Sequence, residues 1–388
     1  MTLSDSSRRL FASLLLLFVL VPILVTADAV DDLSEKALNN VYKLLNGTLS
    51  DGATHNTGCT KEKLIVRREY GNLTLAERAQ YVAAVQCIMT KPSKMSASQF
   101  PGVKNRYDDF VAIHLQQTLN IHGTANFLSW HRWFTWAYEN ALRTECGYNG
   151  TQPYWNWGKY PDLLKSPIFD GSDTSMGGNG EYIAHKGHAV GMANVMVPAG
   201  NGGGCISTGP FKNMTVNLGP MSVAVEITIK ANPRSDGLGY NPRCVRRDVT
   251  DYFTKSYLRT QDIQALITNP TTIKAFQDEM QTDTTAKFGV HSAGHFTIWG
   301  DPGGDFYISP GDPAFFLHHS QIDRTWWIWQ NQDPKARVMT VGGSTSMFGG
   351  GAGTLNDKID LGVLVPGGTL AIKDLVSTTA GPFCYTYQ

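Results

Sequence analysis

Ten histidines occur in this 388-residue chain, and six of them fall into two groups of three: His114, His122 and His131, then His291, His295 and His319. A single imidazole on an apolar helix face is usually a core residue satisfied by one hydrogen bond, whereas several converging imidazoles make a metal site. Spacing separates the two cases. On a helix, Phe127, Phe134 and Tyr138 share the face of His131, so its ring belongs to the apolar stripe and needs a polar partner there. His114 repeats the pattern one turn beyond Phe110 and beside Ile113. His122 lies in the break Asn120-Ile121-His122-Gly123, from which a loop can swing it toward the same point.

In the second group, His291-Ser292-Ala293-Gly294-His295 puts two rings at i and i+4, one turn apart on one face, the spacing that lets both reach one ion. Half of a zinc-protease motif has this spacing too. That chemistry needs a glutamate after the first histidine, and Ser292 stands there. Of the adjacent pair His318 and His319, His319 shares its face with Phe315, Ile322 and Trp326, and His318 shares its face with Ala314, Gln321 and Thr325, so His319 is the expected ligand. Asp323, four residues on, is expected to accept a hydrogen bond from the ring nitrogen of His319 that faces away from a metal. His185 and His188 sit in glycine-rich surroundings without a third partner, and His55 reads as a surface residue. Ligation by imidazole alone suits copper or zinc, and two three-coordinate ions with open positions suit oxygen chemistry.

Helices must position these rings. Apolar periodicity predicts helices over Asp31 to Leu45, Thr74 to Met89, Tyr107 to Thr118 and Asn126 to Arg143, with Asn126 as a cap. Further helices are expected over Val249 to Leu258, Gln261 to Ile267, Thr271 to Met280 and from Asp312-Pro313 through Trp329, where a cap is followed by proline in the first turn. Between Lys165 and Pro242 the composition shifts to Gly, Asn, Ser and Pro, which reads as ordered insertions over the core. After Trp329, glycine-rich turns lead to a short apolar tail with the pattern of strands.

Arg8 and Arg9, the apolar run Leu10 to Val25 and the small residues around Thr26-Ala27-Asp28-Ala29 give residues 1–29 the form of a secretory signal, with the mature chain starting near Val30. The run is shorter than the roughly 20 residues of a membrane-spanning helix, so no stable anchor is expected after cleavage. Six well-separated cysteines and sequons at Asn46, Asn72, Asn149 and Asn213 agree with an extracellular destination, with disulfide pairing left open. Acidic and basic residues cancel, 33 against 33, and no basic run exceeds two, which excludes recruitment of nucleic acid by charge.

With those residues in view, the chain resembles the tyrosinases and catechol oxidases. FLSWHRWF around His131, HSAGH at 291–295, GDPAFFLHHSQIDRTWW around His319 and PYWNW at 153–157 resemble the family's two copper sites and the segment between them. The resemblance implies a mainly α fold, a four-helix bundle holding a dicopper centre, with long irregular loops and a few short strands. Copper A would lie on His114, His122 and His131, and copper B on His291, His295 and His319. The implied reaction is oxidation of o-diphenols to o-quinones by dioxygen, with hydroxylation of monophenols in some members. Phe306 falls where plant enzymes place a gate over the second copper, Phe315 would pack beside the metal pair, and Phe296 would border the entrance. Tyr385-Thr386-Tyr387 resembles the motif that closes the catalytic domain, so residues 30–388 are expected to be that domain without a C-terminal shield.

Two positions depart from common family patterns. Asn120 stands where many members have a thioether-forming cysteine, and Ser292 replaces an asparagine that helps deprotonate monophenols. Diphenol oxidation is therefore the firmer expectation. The family also implies two other readings. One is a tailoring enzyme acting on a phenol or tyrosyl residue in a fungal metabolite or peptide, and the other is a hemocyanin-like oxygen carrier.

Overall fold

A computed structural model describes residues 29–191, 194–222, 229–284 and 287–388. The leader expected at residues 1–29 falls almost wholly outside them. Among the described residues no helix is long and apolar enough to cross a membrane.

The architecture is mainly helical. In chain order the helices are α1 (Ala29–Leu45), α2 (Leu75–Ile88), α3 (Arg106–Ile121), α4 (Phe127–Cys146), α5 (Asp251–Ser256), α6 (Thr260–Thr268), α7 (Ile273–Gln281), α8 (Val290–Ile298) and α9 (Ala314–Gln332). The histidine-bearing helices meet as a bundle, α3 against α4, α4 against α9 and α9 against α8, with α1 and α2 packed outside and α5 and α7 behind α8. Inside it, Phe316 on α9 stacks on Tyr138 of α4 at 3.5 Å and on Phe134 at 5.7 Å, with Phe110 of α3 edge-on to both. Such aromatic pairs contribute about 0.5–1.5 kcal/mol beyond the area they bury. The bundle therefore has an interior rigid enough to hold side chains at fixed positions.

Helix ends follow local chemistry. Asn105 caps α3 by accepting the Asp108 N–H at 3.0 Å, and the helix stops where His122 turns extended. α4 ends at Gly147 with φ of 66°, a left-handed cap that suits glycine. Asp312 accepts the Ala314 N–H at 2.9 Å at the start of α9. Thr74 and Glu77 form a capping box on α2. The cap expected at Asn126 is not made: its side-chain Oδ1 accepts the Thr124 hydroxyl at 2.7 Å instead.

Short strands fasten the loops. Gly180–Tyr182 pairs antiparallel with Gly203–Ile206, and His188–Val190 with Val195–Val197, so residues 165–242 include ordered hairpins. Ile65–Arg67 pairs parallel with Tyr385–Tyr387, which brings the carboxyl-terminal strand to the core. The disulfides are Cys59–Cys384, Cys87–Cys146 and Cys205–Cys244. They tie the chain ends together, α2 to α4, and the glycine-rich loops to the segment before α5.

Candidate metal centre

The rings of His114, His122 and His131 are buried, with centres 4.9–5.7 Å apart. Each turns Nδ1 toward a backbone carbonyl: Tyr307 for His114 at 2.8 Å, Thr118 for His122 at 2.9 Å and Phe127 for His131 at 2.9 Å. A carbonyl only accepts, so each Nδ1 carries the proton and each Nε2 keeps a lone pair. The lone pairs of His114 and His131 have no protein partner although both atoms are buried. An unsatisfied buried polar atom costs about 1–3 kcal/mol. Burial, then the neighbouring imidazoles, hold His114 and His131 well below the usual histidine value, and burial lowers His122 to about 4. Neutral rings with converging lone pairs are what a metal ion requires.

The second triad faces the first. His291 and His295, one turn apart on α8, have ring centres 4.8 Å apart, and His319 on α9 lies 5.4 and 5.2 Å from them. Nε2 of His291 is buried without a partner, and Nε2 of His295 faces Nε2 of His319 at 3.1 Å. Within each triad one ligand atom per residue lies within 4.8 Å of the others, so both sets are able to hold a metal ion. The all-imidazole chemistry of the donors fits copper.

Asp323 does not orient His319, contrary to the sequence expectation. Its carboxylate accepts Arg132 Nε at 2.6 Å, Arg67 at 3.2 Å, and the hydroxyls of Tyr385 and Tyr387 at 2.5 and 2.6 Å, while Nδ1 of His319 has no hydrogen-bond partner. Burial alone would raise the Asp323 carboxyl, but Arg132, Arg67 and the tyrosine hydroxyls outweigh it and hold it below the usual range. The helical spacing is right, yet the carboxylate is engaged by two guanidinium groups and the terminal tyrosines instead. His319 is held by stacking: Phe315 lies 4.0 Å away at 21° and His131 4.6 Å away at 22°.

Phe306 also differs in detail. Its ring lies 4.6 Å from His122 of the first triad and makes no ring contact with the second, because Ser222 accepts its N–H at 3.2 Å and Asp305 is anchored to the N–H groups of Met221 and Ser222. Ser292 and Phe296 line the same cavity, with the Ser292 hydroxyl 3.4 Å from the Gln281 carbonyl.

His318 is a residue whose function the periodicity concealed. It accepts the Trp157 indole N–H on Nδ1 at 3.0 Å and donates from Nε2 to the His291 carbonyl at 3.0 Å. Any side chain on Gly294 would run into its ring. His318 therefore locks α8 to α9 at the level of the second triad. The PYWNW segment carries Trp157 and was the available signal.

His185 and His188 do have a third partner, Asp248, at 3.2 and 2.7 Å. Asp248 also accepts the N–H groups of Gly200 and Gly202, and Nδ1 of His185 accepts the Gly187 N–H, which leaves the His185 proton on Nε2. The three groups lie close enough to hold a metal ion, and the cluster sits behind Trp299, whose ring lies 4.6 Å from His188.

Residues 104–332 match the family model described as the common central domain of tyrosinase. The chain belongs to the tyrosinase family. It is a type-3 copper phenol oxidase by that membership, and tyrosinase-family proteins bind copper. "Tyrosinase P" of Aspergillus terreus is 39% identical over 332 residues, 83% of this chain and 91% of that protein. N-acetyl-6-hydroxytryptophan oxidase ivoB of Emericella nidulans is 36% identical over 348 residues, 85% and 94% of the two chains. A polyphenol oxidase from Thermothelomyces thermophila has a solved structure that superposes with a TM-score of 0.85 at 42% identity, covering 92% of this chain and 97% of that one.

Proposed function

We propose that the two triads hold two copper ions, one on His114, His122 and His131 and the other on His291, His295 and His319, and that the enzyme oxidises o-diphenols to o-quinones. The observation that carries this reading is the convergence of six imidazoles in two groups, with the Nε2 atoms of His114, His131 and His291 buried and unpartnered. Bound copper supplies the electron exchange between phenol and dioxygen that side chains cannot provide. Two diphenols reduce one dioxygen to two waters, and each loses two electrons and two protons.

The chain's own residues bind, orient and seal. Carbonyls of Tyr307, Thr118 and Phe127 fix the tautomers of the first triad, Phe315 wedges between His319, His114 and His295, and Phe306 shields His122. Among the described residues Ser292 lines the cavity without a carboxylate hydrogen-bonded to it, which favours diphenols, already acidic enough to bind, over monophenols. Oxygen uptake by copper-loaded protein with catechol and with phenol tests this: rapid uptake with catechol and slow uptake with phenol is expected, and no uptake with any diphenol overturns it.

A tailoring role deepens the same reading. The ivoB relative is by its name an oxidase of N-acetyl-6-hydroxytryptophan, a phenolic indole larger than catechol. An oxygen-carrier role has no comparable support, because the relatives named above are oxidases and the site opens into a cavity. We further propose that residues 30–388 form one catalytic domain that is exported and glycosylated, a reading supported by the disulfides and by the exposure of Asn46, Asn72, Asn149 and Asn213.

A further inference from the structure

The cavity above the two triads is larger than one phenolic ring needs. Its volume is about 660 Å3, whereas an apolar cavity of about 150 Å3 already accepts benzene and about 300–1,000 Å3 suits larger organic ligands. His122, His291 and His295 line it and fix where the reacting ring sits. Phe296, Trp299, Phe306, Met347 and Phe348 line it as well. Phe348 is 73% exposed, the most exposed large apolar side chain among the described residues.

The loop that carries Phe348 is held firmly. The Met347 N–H donates to the Leu119 carbonyl at 3.0 Å, the Ser344 carbonyl accepts the Ala125 N–H at 2.8 Å, and Gly353 and Gly343 close the loop at 2.9 Å. Leu119 and Ala125 flank His122, so the loop is fastened to the segment that carries a metal ligand. Gly349 and Gly350, at φ of 116° and 145°, make the turn directly after Phe348 that other residues resist. An aromatic ring kept in water at the rim of a cavity, on a loop fixed to that cavity's floor, is placed to be covered by something entering it. Charge narrows the choice. Asp283 lies on the wall beside Asp278, which is paired with Lys274, and Asp305, whose buried carboxylate accepts backbone N–H groups, and no lysine or arginine is among the described lining residues.

We propose that Met347 and Phe348 form an apolar subsite for the non-reacting part of the substrate, and that the physiological substrate is an uncharged phenol bearing a second ring or an alkyl arm. The proposal rests on the phenol-oxidase reading and specifies the substrate class for that site. Small catechols would bind without using the subsite. Phenols carrying a carboxylate would find no lysine or arginine on the described wall to pair with and bind less well.

Anaerobic titration of the copper-loaded protein with resorcinol, 4-phenylresorcinol and 2,4-dihydroxybenzoate tests this without turnover. The phenyl-substituted ligand is expected to bind about tenfold more tightly than resorcinol, and the benzoate more weakly. Phe348→Ala should abolish most of the phenyl advantage and leave resorcinol unchanged. Because Phe348 is exposed, the variant should fold as the parent does. An equal phenyl advantage in both proteins, or tighter binding of the benzoate, overturns the subsite. Aerobic catechol oxidation with no phenyl preference sinks the subsite alone, whereas phenyl preference without any diphenol oxidation keeps the subsite and sinks the oxidase reading.

Discussion

The rings of His131 on α4 and His319 on α9 lie face to face, 4.6 Å between centres and 22° between planes. Each belongs to a different triad, so the two candidate metal sites share a wall of stacked imidazoles. Phe315 covers the other face of His319. The alignment of the two sites thus depends on α4 and α9 keeping their register, which the Tyr138–Phe316 stack and the Asp323 ion network enforce from below.

Asp323→Asn tests which of two functions the aspartate has. Removing the charge leaves Arg132 without a counter-ion in a buried site and Arg67 with Glu139 alone, and breaking one partner of such a pair costs about 3–5 kcal/mol. The expected result is a lower midpoint of chemical unfolding with copper content per folded chain unchanged. Loss of copper at undiminished stability would restore Asp323 as the orienting partner of His319.

His318→Leu removes both the bond to Trp157 and the bond to the His291 carbonyl. Residues that orient ligands typically contribute roughly 10–100-fold to metal affinity. Copper on the second triad should weaken by that factor while copper on the first is retained. His318→Gln, which can still donate to the His291 carbonyl, should recover part of the loss. Equal weakening at both sites would mean that His318 only supports the fold.

The copper-free chain should lose stability as pH falls below the ordinary histidine value of about 6.5. The six histidines stay neutral when folded, His122 down to about 4 and the others well below the ordinary value, because burial opposes their charge. Between those values the unfolded chain binds more protons than the folded one, so stability rises with pH across this window and levels off above it. Urea midpoints at pH 7.5 and pH 5 measure this. Midpoints that do not move would show that the rings take up protons in the folded state.

Much of the candidate site was legible because most of its histidines sit on helices whose period can be counted. His114, His131, His291, His295 and His319 were placed by that period, and His122 by the break that follows α3. The fold class was implied by the resemblance, and the mainly helical architecture agrees with it. Period fails where a carboxylate has several suitors. Asp323 has the right spacing for His319, but Arg67 and the two terminal tyrosines come from sequence-distant strands that no helical count brings near. Asp248 escaped notice beside His185 and His188 for the same reason, being 60 residues away from His188. Phe306 was correctly assigned to the cavity but not to the ring it covers, since its position depends on how Asp305 grips a separate loop.

Copper analysis of the purified, reconstituted protein and its His131→Ala and His295→Ala variants tests the central claim most directly. About two copper ions per folded parent chain are expected, falling to about one in each variant as a single triad is broken. A parent that takes up no copper, or variants that keep the full complement, would contradict the assignment of these six histidines.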